Sequence, residues 1–188
     1  VWINANGSSA QEEWTVGTYS YLTLLHEIGH AIGLKHSFEA TADNPAVLPA
    51  NLDGRSYTVM SYSAAPGNQS SYFSYEPTTP MVLDIAAIQH LYGANTTFHA
   101  GNDNYVFSGT GTYHQTIWDA GGTDTIVYQS ATGGTIDLAE AGASTLGTPI
   151  EAFDGTTGAS LGTVHNVWIA FDTVIENATG GGGADLIS

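Results

Sequence analysis

Cysteine is absent from the 188-residue sequence, which excludes disulfide staples and thiolate metal ligands. Any staple in an extracellular setting would have to be a metal ion. Positive charge is nearly absent too: 2 Lys+Arg stand against 18 Asp+Glu, a formal net charge of −16. Phosphate backbones and anionic lipids repel such a chain, so neither nucleic acid nor a membrane is an expected partner. Calcium fits the acidic balance, as does a surface made acidic for solubility alone, and composition does not separate the two. No apolar run reaches the ~18 residues that would suggest a bilayer-spanning helix. The opening Val1-Trp2-Ile3-Asn4 has neither the charged start nor the apolar core of a signal peptide.

What the sequence does contain is His26-Glu27-Ile28-Gly29-His30-Ala31-Ile32-Gly33-Leu34-Lys35-His36, that is, H-E-x-x-H-x-x-G-x-x-H without a mismatch. On an α-helix, residues four apart lie only ~40° apart around the axis, so His26 and His30 can share one metal ion. Glu27 sits beside them, off the ligand axis. The opposite face carries Tyr21, Leu24, Leu25, Ile28 and Ile32, an apolar stripe for the core. With Thr18 as N-cap the helix is expected over about 19–33. Gly33 ends it by taking φ > 0, and the chain turns back so that His36 can serve as third ligand. Three histidines leave zinc an open position for a water whose pKa falls toward ~7, and Glu27 is the carboxylate placed to deprotonate it. A bare H-E-x-x-H also occurs by chance on solvated helices; the added glycine and third histidine are what set this string apart.

Val1 to Asn6 alternates like a half-buried strand, and residues 37–75 have no sustained period, with turns at Asn44-Pro45, Asp53-Gly54 and Pro66-Gly67. Inside that irregular stretch lies Tyr57-Thr58-Val59-Met60-Ser61-Tyr62, holding one of only 2 methionines. Thr79-Pro80 reads as N-cap and first residue of a second helix with Met81, Ile85, Ile88 and Tyr92 at helical spacing, stopped by Gly93. Asp84 on it suits a capping role. Beyond Asn95, the short runs Tyr105–Phe107, Thr116–Trp118, Thr125–Tyr128, Thr135–Leu138 and Val164–Phe171 alternate with Gly, Asn, Asp and Thr, the pattern of an all-β region. A junction is expected near 94–98, giving domains 1–95 and 96–188 within an α+β fold. The closing Gly180-Gly181-Gly182-Gly183-Ala184-Asp185-Leu186-Ile187-Ser188 fits the G-G-x-G-x-D-x-U-x repeat of calcium-binding parallel β-rolls, echoed in part at Asp119-Ala120-Gly121-Gly122-Thr123-Asp124.

The long zinc string is the metzincin signature. Several further motifs follow it in order: the Met60 turn, Asp84-Ile85-Ala86-Ala87-Ile88-Gln89, Leu91-Tyr92-Gly93-Ala94-Asn95, Trp118 to Thr125, Ile175-Glu176-Asn177 and the closing nonapeptide. Together they make the chain resemble the serralysins, secreted bacterial metzincin proteases. The resemblance implies zinc on His26, His30 and His36, Glu27 as general base and Met60 as an apolar floor beneath the metal. It also implies that Tyr62 ligates zinc at rest and stabilises the oxyanion during turnover. It implies calcium near the side chains of Asp103, Asp119 and Asp124 and the backbone oxygens of His99, Gly101 and Gly121. Gly122, Asp124 and Glu176 belong by resemblance to a second calcium site, and Asp185 to the repeat. The family has a large part of its catalytic domain ahead of the strand that matches Val1–Asn6, and further β-roll repeats beyond the first. The implied fold is thus the later portion of a metzincin catalytic domain followed by the start of a calcium-binding β-roll.

The expected activity is zinc-dependent endopeptidase action on extracellular proteins and peptides, in a secreted monomer that a proteinaceous protease inhibitor could also bind. A rival reading from another class is a calcium-stabilised extracellular or surface module whose zinc fold has lost activity. Loss of Glu27 would favour it, and Glu27 is present.

Overall fold

The computed structural model describes residues 14–188; the strand expected over Val1–Asn6 lies outside them. Helix α1 spans Tyr19–Ala31, and Thr18, in an extended conformation, caps it by accepting from the Tyr21 amide. Gly33 has φ 101°, and the Leu34 amide returns to the Gly29 carbonyl at 2.9 Å, so the glycine turn closes the helix as expected. The buried residues are Ser20, Leu22, His26 and Gly29, a stripe that contains the first histidine. The stripe anticipated on the opposite face is not the one enclosed here, since Ile28 is 44% exposed. Leu22 takes that place because it lies one turn before His26, on the side facing Val59 and Met60.

Residues 37–75 are irregular apart from the short strand β1, Tyr72–Phe73. Helix α2 covers Val82–Tyr92 with Met81 as N-cap, so it starts two residues later than the Thr79-Pro80 signal suggests. The physical reason is Asp84, whose carboxylate accepts the Met81 amide at 2.8 Å and fixes the first turn there. The Thr79 hydroxyl instead accepts from the Thr116 amide in the β region.

Among the described residues ten strands follow. They are β2 Asn104–Ser108, β3 Gln115–Ile117, β4 Thr125–Gln129, β5 Thr135–Ile136, β6 Ala143–Ser144, β7 Ile150–Phe153, β8 Ser160–Val164, β9 Val167–Ile169 and β10 Asn177–Thr179, and β11, Leu186–Ile187, completes the set. The run expected over Val164–Phe171 is two strands. Asn166 breaks it: its buried side chain holds both the amide and the carbonyl of Leu146. The chain thereby leaves an antiparallel pairing of β8 with β7 for a parallel pairing of β9 with β3. Parallel pairing also joins β2 to β4, β10 to β4 and β11 to β5.

The β core collects Phe107, Ile117, Ile126, Tyr128, Ile136, Leu146, Val167, Ile169 and Ile175. A second cluster packs Leu22 of α1 against Val59, Met60, Met81, Val82 and, from β9, Trp168. Antiparallel pairing of β1 with β7 adds main-chain hydrogen bonds between the helical and β halves. The histidine-bearing helix therefore rests on a floor to which residues far down the sequence contribute.

Candidate metal centre

His26 and His30 reach one point from α1, and the turn at Gly33 brings His36 to the same place; one ring nitrogen from each lies within 4.8 Å of the others. Each imidazole is held from behind. His26 Nδ1 donates to the Val59 carbonyl at 2.7 Å, His30 Nδ1 to the Leu34 carbonyl at 2.9 Å, and His36 Nδ1 to the Glu39 carboxylate at 2.9 Å. These bonds fix the tautomer and leave the three Nε2 lone pairs facing inward, the arrangement a divalent metal requires of neutral imidazoles. Burial, partly offset by the Val59 hydrogen bond, pushes the His26 pKa down, which favours the ligating form.

Beneath the histidines lies Met60, 2% exposed. A Cβ on Gly29 would stand 2.5 Å from its sulfur, so the helix approaches the methionine closely enough that only glycine fits without a shift. Asp84 sets the height of this floor: it accepts the Thr58 hydroxyl at 2.5 Å and the Val59 amide at 2.8 Å. The peptide that receives His26 is thus tied to the start of α2. Burial raises the Asp84 carboxyl to about 6, against the pull of the Thr58, Val59 and Met81 donors.

Tyr62 stands over the triad, its hydroxyl donating to His36 Nε2 at 2.9 Å and its ring 45% exposed. Burial first, then the charges of Tyr19, Glu27 and Glu39, raises its pKa, so the phenol is protonated. Glu27 opens onto a cleft of about 360 Å³ that His26, Tyr62, Tyr19, Leu22 and Tyr72 also line.

The acidic residues singled out in the sequence form a second cluster. One carboxylate oxygen each from Asp103, Asp119 and Asp124 lies within 4.8 Å of the others. Asp124 Oδ1 accepts the Asp103 amide at 2.7 Å, while its buried Oδ2 has no hydrogen-bond partner among the described residues. Burial, reinforced by the charges of Asp119, Glu176 and Asp103, pushes the Asp124 carboxyl up. His99 joins the rim with φ 49° and a contact from Nδ1 to Asp103 at 3.1 Å. A Cβ on Gly122 would fall 2.0 Å from the Gly101 carbonyl oxygen, so these two glycines lie against one another. Gly121 donates to Asp119. Glu176 accepts the Asp124 amide at 2.7 Å, outside the triplet. Asp185 lies elsewhere, accepting the Gly134 and Gly181 amides.

Residues 2–91 match the metallo-peptidase family M12B, reprolysin-like. Serralysin of Proteus mirabilis is 36% identical over 192 residues, spanning 92% of this chain and 36% of that protein. Serralysin B of Dickeya chrysanthemi is 33% identical over 204 residues, spanning 99% and 39%. Metalloprotease AprA of Pseudomonas entomophila is 36% identical over 203 residues, spanning 96% and 39%. The chain belongs to the serralysin-type metzincins. It spans well under half the length of these relatives.

A serralysin-type metallopeptidase implies a metal, and the residues present fit one: three imidazoles converge on one point, each oriented from its far side. The acidic triplet likewise fits a hard cation, with one buried carboxylate oxygen left without a donor. Sequence reasoning missed the residues that hold this serralysin-type centre from outside. Glu39 behind His36 is one. Arg55, bonded through Nε and Nη2 to both oxygens of Glu76 at 3.0 and 2.9 Å, is another. The available signal was scarcity, since a chain with 2 cations places each of them conspicuously.

Proposed function

We propose that the chain carries the catalytic centre of a secreted zinc endopeptidase that cleaves extracellular proteins and peptides, with calcium ordering its β half. The supporting observation is the convergence of His26, His30 and His36, each imidazole fixed through Nδ1. Zinc, when bound there, supplies Lewis acidity that polarises the scissile carbonyl and acidifies water. Glu27, on the same helix and facing the cleft, takes the proton of the attacking water and returns it to the departing amine. Tyr62, kept protonated, donates its O–H to the carbonyl oxygen as that oxygen gains charge. Met60 and Gly29 keep the floor dry and close-packed. In this reading residues 1–95 hold the chemistry, and 96–188 form a β-roll-type domain. There Asp103, Asp119 and Asp124 hold calcium, together with the backbone oxygens of His99, Gly101 and Gly121. Gly122, Glu176 and Asp185 extend the set along the turns. Among the described residues no helix is long and apolar enough to cross a membrane, in keeping with an exported protein.

The test is Glu27→Ala in the full-length protein. Peptide hydrolysis should fall by ~10²–10⁴ while metal analysis still finds zinc, because a general base is not a ligand. Turnover within about tenfold of the parent removes Glu27 from this role.

A further inference from the structure

The sequence has two cations, Lys35 and Arg55, and both are turned onto backbone carbonyls beside the histidines. Lys35 Nζ donates to the carbonyls of Glu39, Asn44 and Ala46 at 2.8, 2.6 and 2.5 Å. Arg55 is 3% exposed and works as a hub. Nη1 donates to the Tyr62 carbonyl at 2.5 Å, and Nη2 to the Ser71 carbonyl at 3.0 Å. Its own amide donates to the Ser63 carbonyl at 2.7 Å, and Phe73 lies 5.6 Å beneath the guanidinium carbon. Glu76 holds the other edge of the fork, and burial pushes its carboxyl up while Arg55 offsets that shift.

A buried ion pair is a weak device for stability, because desolvating both charges offsets most of their attraction. This pair does something an apolar pair of the same volume cannot: it donates to two carbonyls and so fixes where the chain runs. One of those carbonyls belongs to Tyr62, whose ring is half exposed and whose hydroxyl meets His36 at 2.9 Å. The other belongs to Ser71 in the cleft wall.

We propose that Arg55, oriented by Glu76, is the positioning residue for Tyr62. It clamps the main chain at position 62 so that the phenol swings about a stationary pivot between His36 and the reacting carbonyl. The inference rests on the catalytic use of Tyr62 proposed above. Lysine cannot replace Arg55, since a single ammonium cannot meet both Glu76 oxygens and two carbonyls in one plane.

The experiment is a mutant cycle in the full-length protein: Arg55→Lys, Tyr62→Phe and the double variant, assayed on one peptide substrate. Arg55→Lys should lower kcat by about 10- to 100-fold with KM changed less than about threefold, as expected when a transition-state donor is misplaced. Once the phenol hydroxyl is gone there is nothing left to position. Adding Arg55→Lys to Tyr62→Phe should then change kcat by less than about twofold. A purely structural Arg55 would instead give losses that multiply, and that result, or parental kcat in Arg55→Lys, overturns the proposal. Parental kcat in Tyr62→Phe would overturn the reading of Tyr62 itself, and the single variant shows which has failed. If Arg55→Lys does not fold, Glu76→Gln takes its place in the cycle, since it keeps an acceptor for the guanidinium and removes the charge. Fluorotyrosine at position 62 then reads the ring directly by fluorine NMR. A shifted or broadened resonance in the variant supports the clamp, and an unchanged one refutes it.

Discussion

Acidification should destabilise this protein through His114, a residue with no part in the metal centre. His114 is fully buried. Its Nδ1 donates to the Tyr75 carbonyl at 3.0 Å, its ring meets Phe73 edge-on, and its Nε2 has no hydrogen-bond partner among the described residues. A second proton would go onto Nε2, in an apolar setting with no acceptor. Burial, with the Arg55 charge adding to it and the Tyr75 bond opposing it, depresses the pKa from 6.5 to about 4. Between those values the unfolded chain binds a proton that the folded chain refuses. Stability from this group is therefore complete above pH 6.5 and lost progressively as pH falls toward about 4. About 2.5 units at 1.36 kcal/mol each gives roughly 3 kcal/mol.

Asp84 acts with the opposite sign. Its folded pKa is raised from 3.8 to about 6, so its contribution is complete below 3.8 and disappears as pH rises through about 6. The contributions of these two groups thus nearly cancel, and the informative quantity is a difference. His114→Asn places an amide donor near the Nδ1 position and removes the titration. Urea unfolding from pH 7.5 to about 4.5, with both proteins saturated in calcium, should show the stability gap between parent and variant closing by about 2 to 3 kcal/mol on acidification. Parallel profiles would refute the argument, as would an NMR titration placing folded His114 near pH 6.5.

Calcium removal should loosen residues 96–188 first, because Asp103, Asp119 and Asp124 repel one another without a cation. The melting temperature should rise with free calcium at constant zinc and ionic strength. A flat titration would leave the acidic cluster an ordinary polar turn. Gly29→Ala should cost about 1 to 3 kcal/mol by overpacking Met60, whose sulfur would lie 2.5 Å from the new Cβ. Thermal melting checks it, and an unchanged midpoint would show that the floor can yield.

The meeting of His26, His30 and His36, with Glu27 beside them, was legible because helix geometry converts spacing into direction. Once His26, Glu27 and His30 lie on one helix, their relative placement follows from 3.6 residues per turn, and Gly33, at φ 101°, turns the chain so that His36 comes back to them. The β region after Asn95 was legible as short apolar runs between glycine-rich turns, and Gly122 and Asp124 belong to those turns; the parallel pairing of its strands was not legible in those runs. The boundaries were not. Thr79-Pro80 has the residue types of a helix start, yet Asp84 caps Met81 instead because its carboxylate is also needed by Thr58 and Val59. The run from Val164 to Phe171 reads as one strand until Asn166 finds Leu146, and nothing local to Asn166 announces that partner.

The sequence by itself determined which three imidazoles could share a metal ion, since that depends on residue type and on contacts within eleven consecutive positions, 26 to 36. Tertiary structure decided what holds those residues in place. The Val59 carbonyl behind His26 is 33 positions away, and Asp84 and Glu76 stand 26 and 21 positions from the residues they orient. Hydrogen bonds at that separation form only after loops close and a shared core excludes water, so no local pattern encodes them. The same holds for Trp168, which comes from the β half to pack beneath Leu22 and Met60.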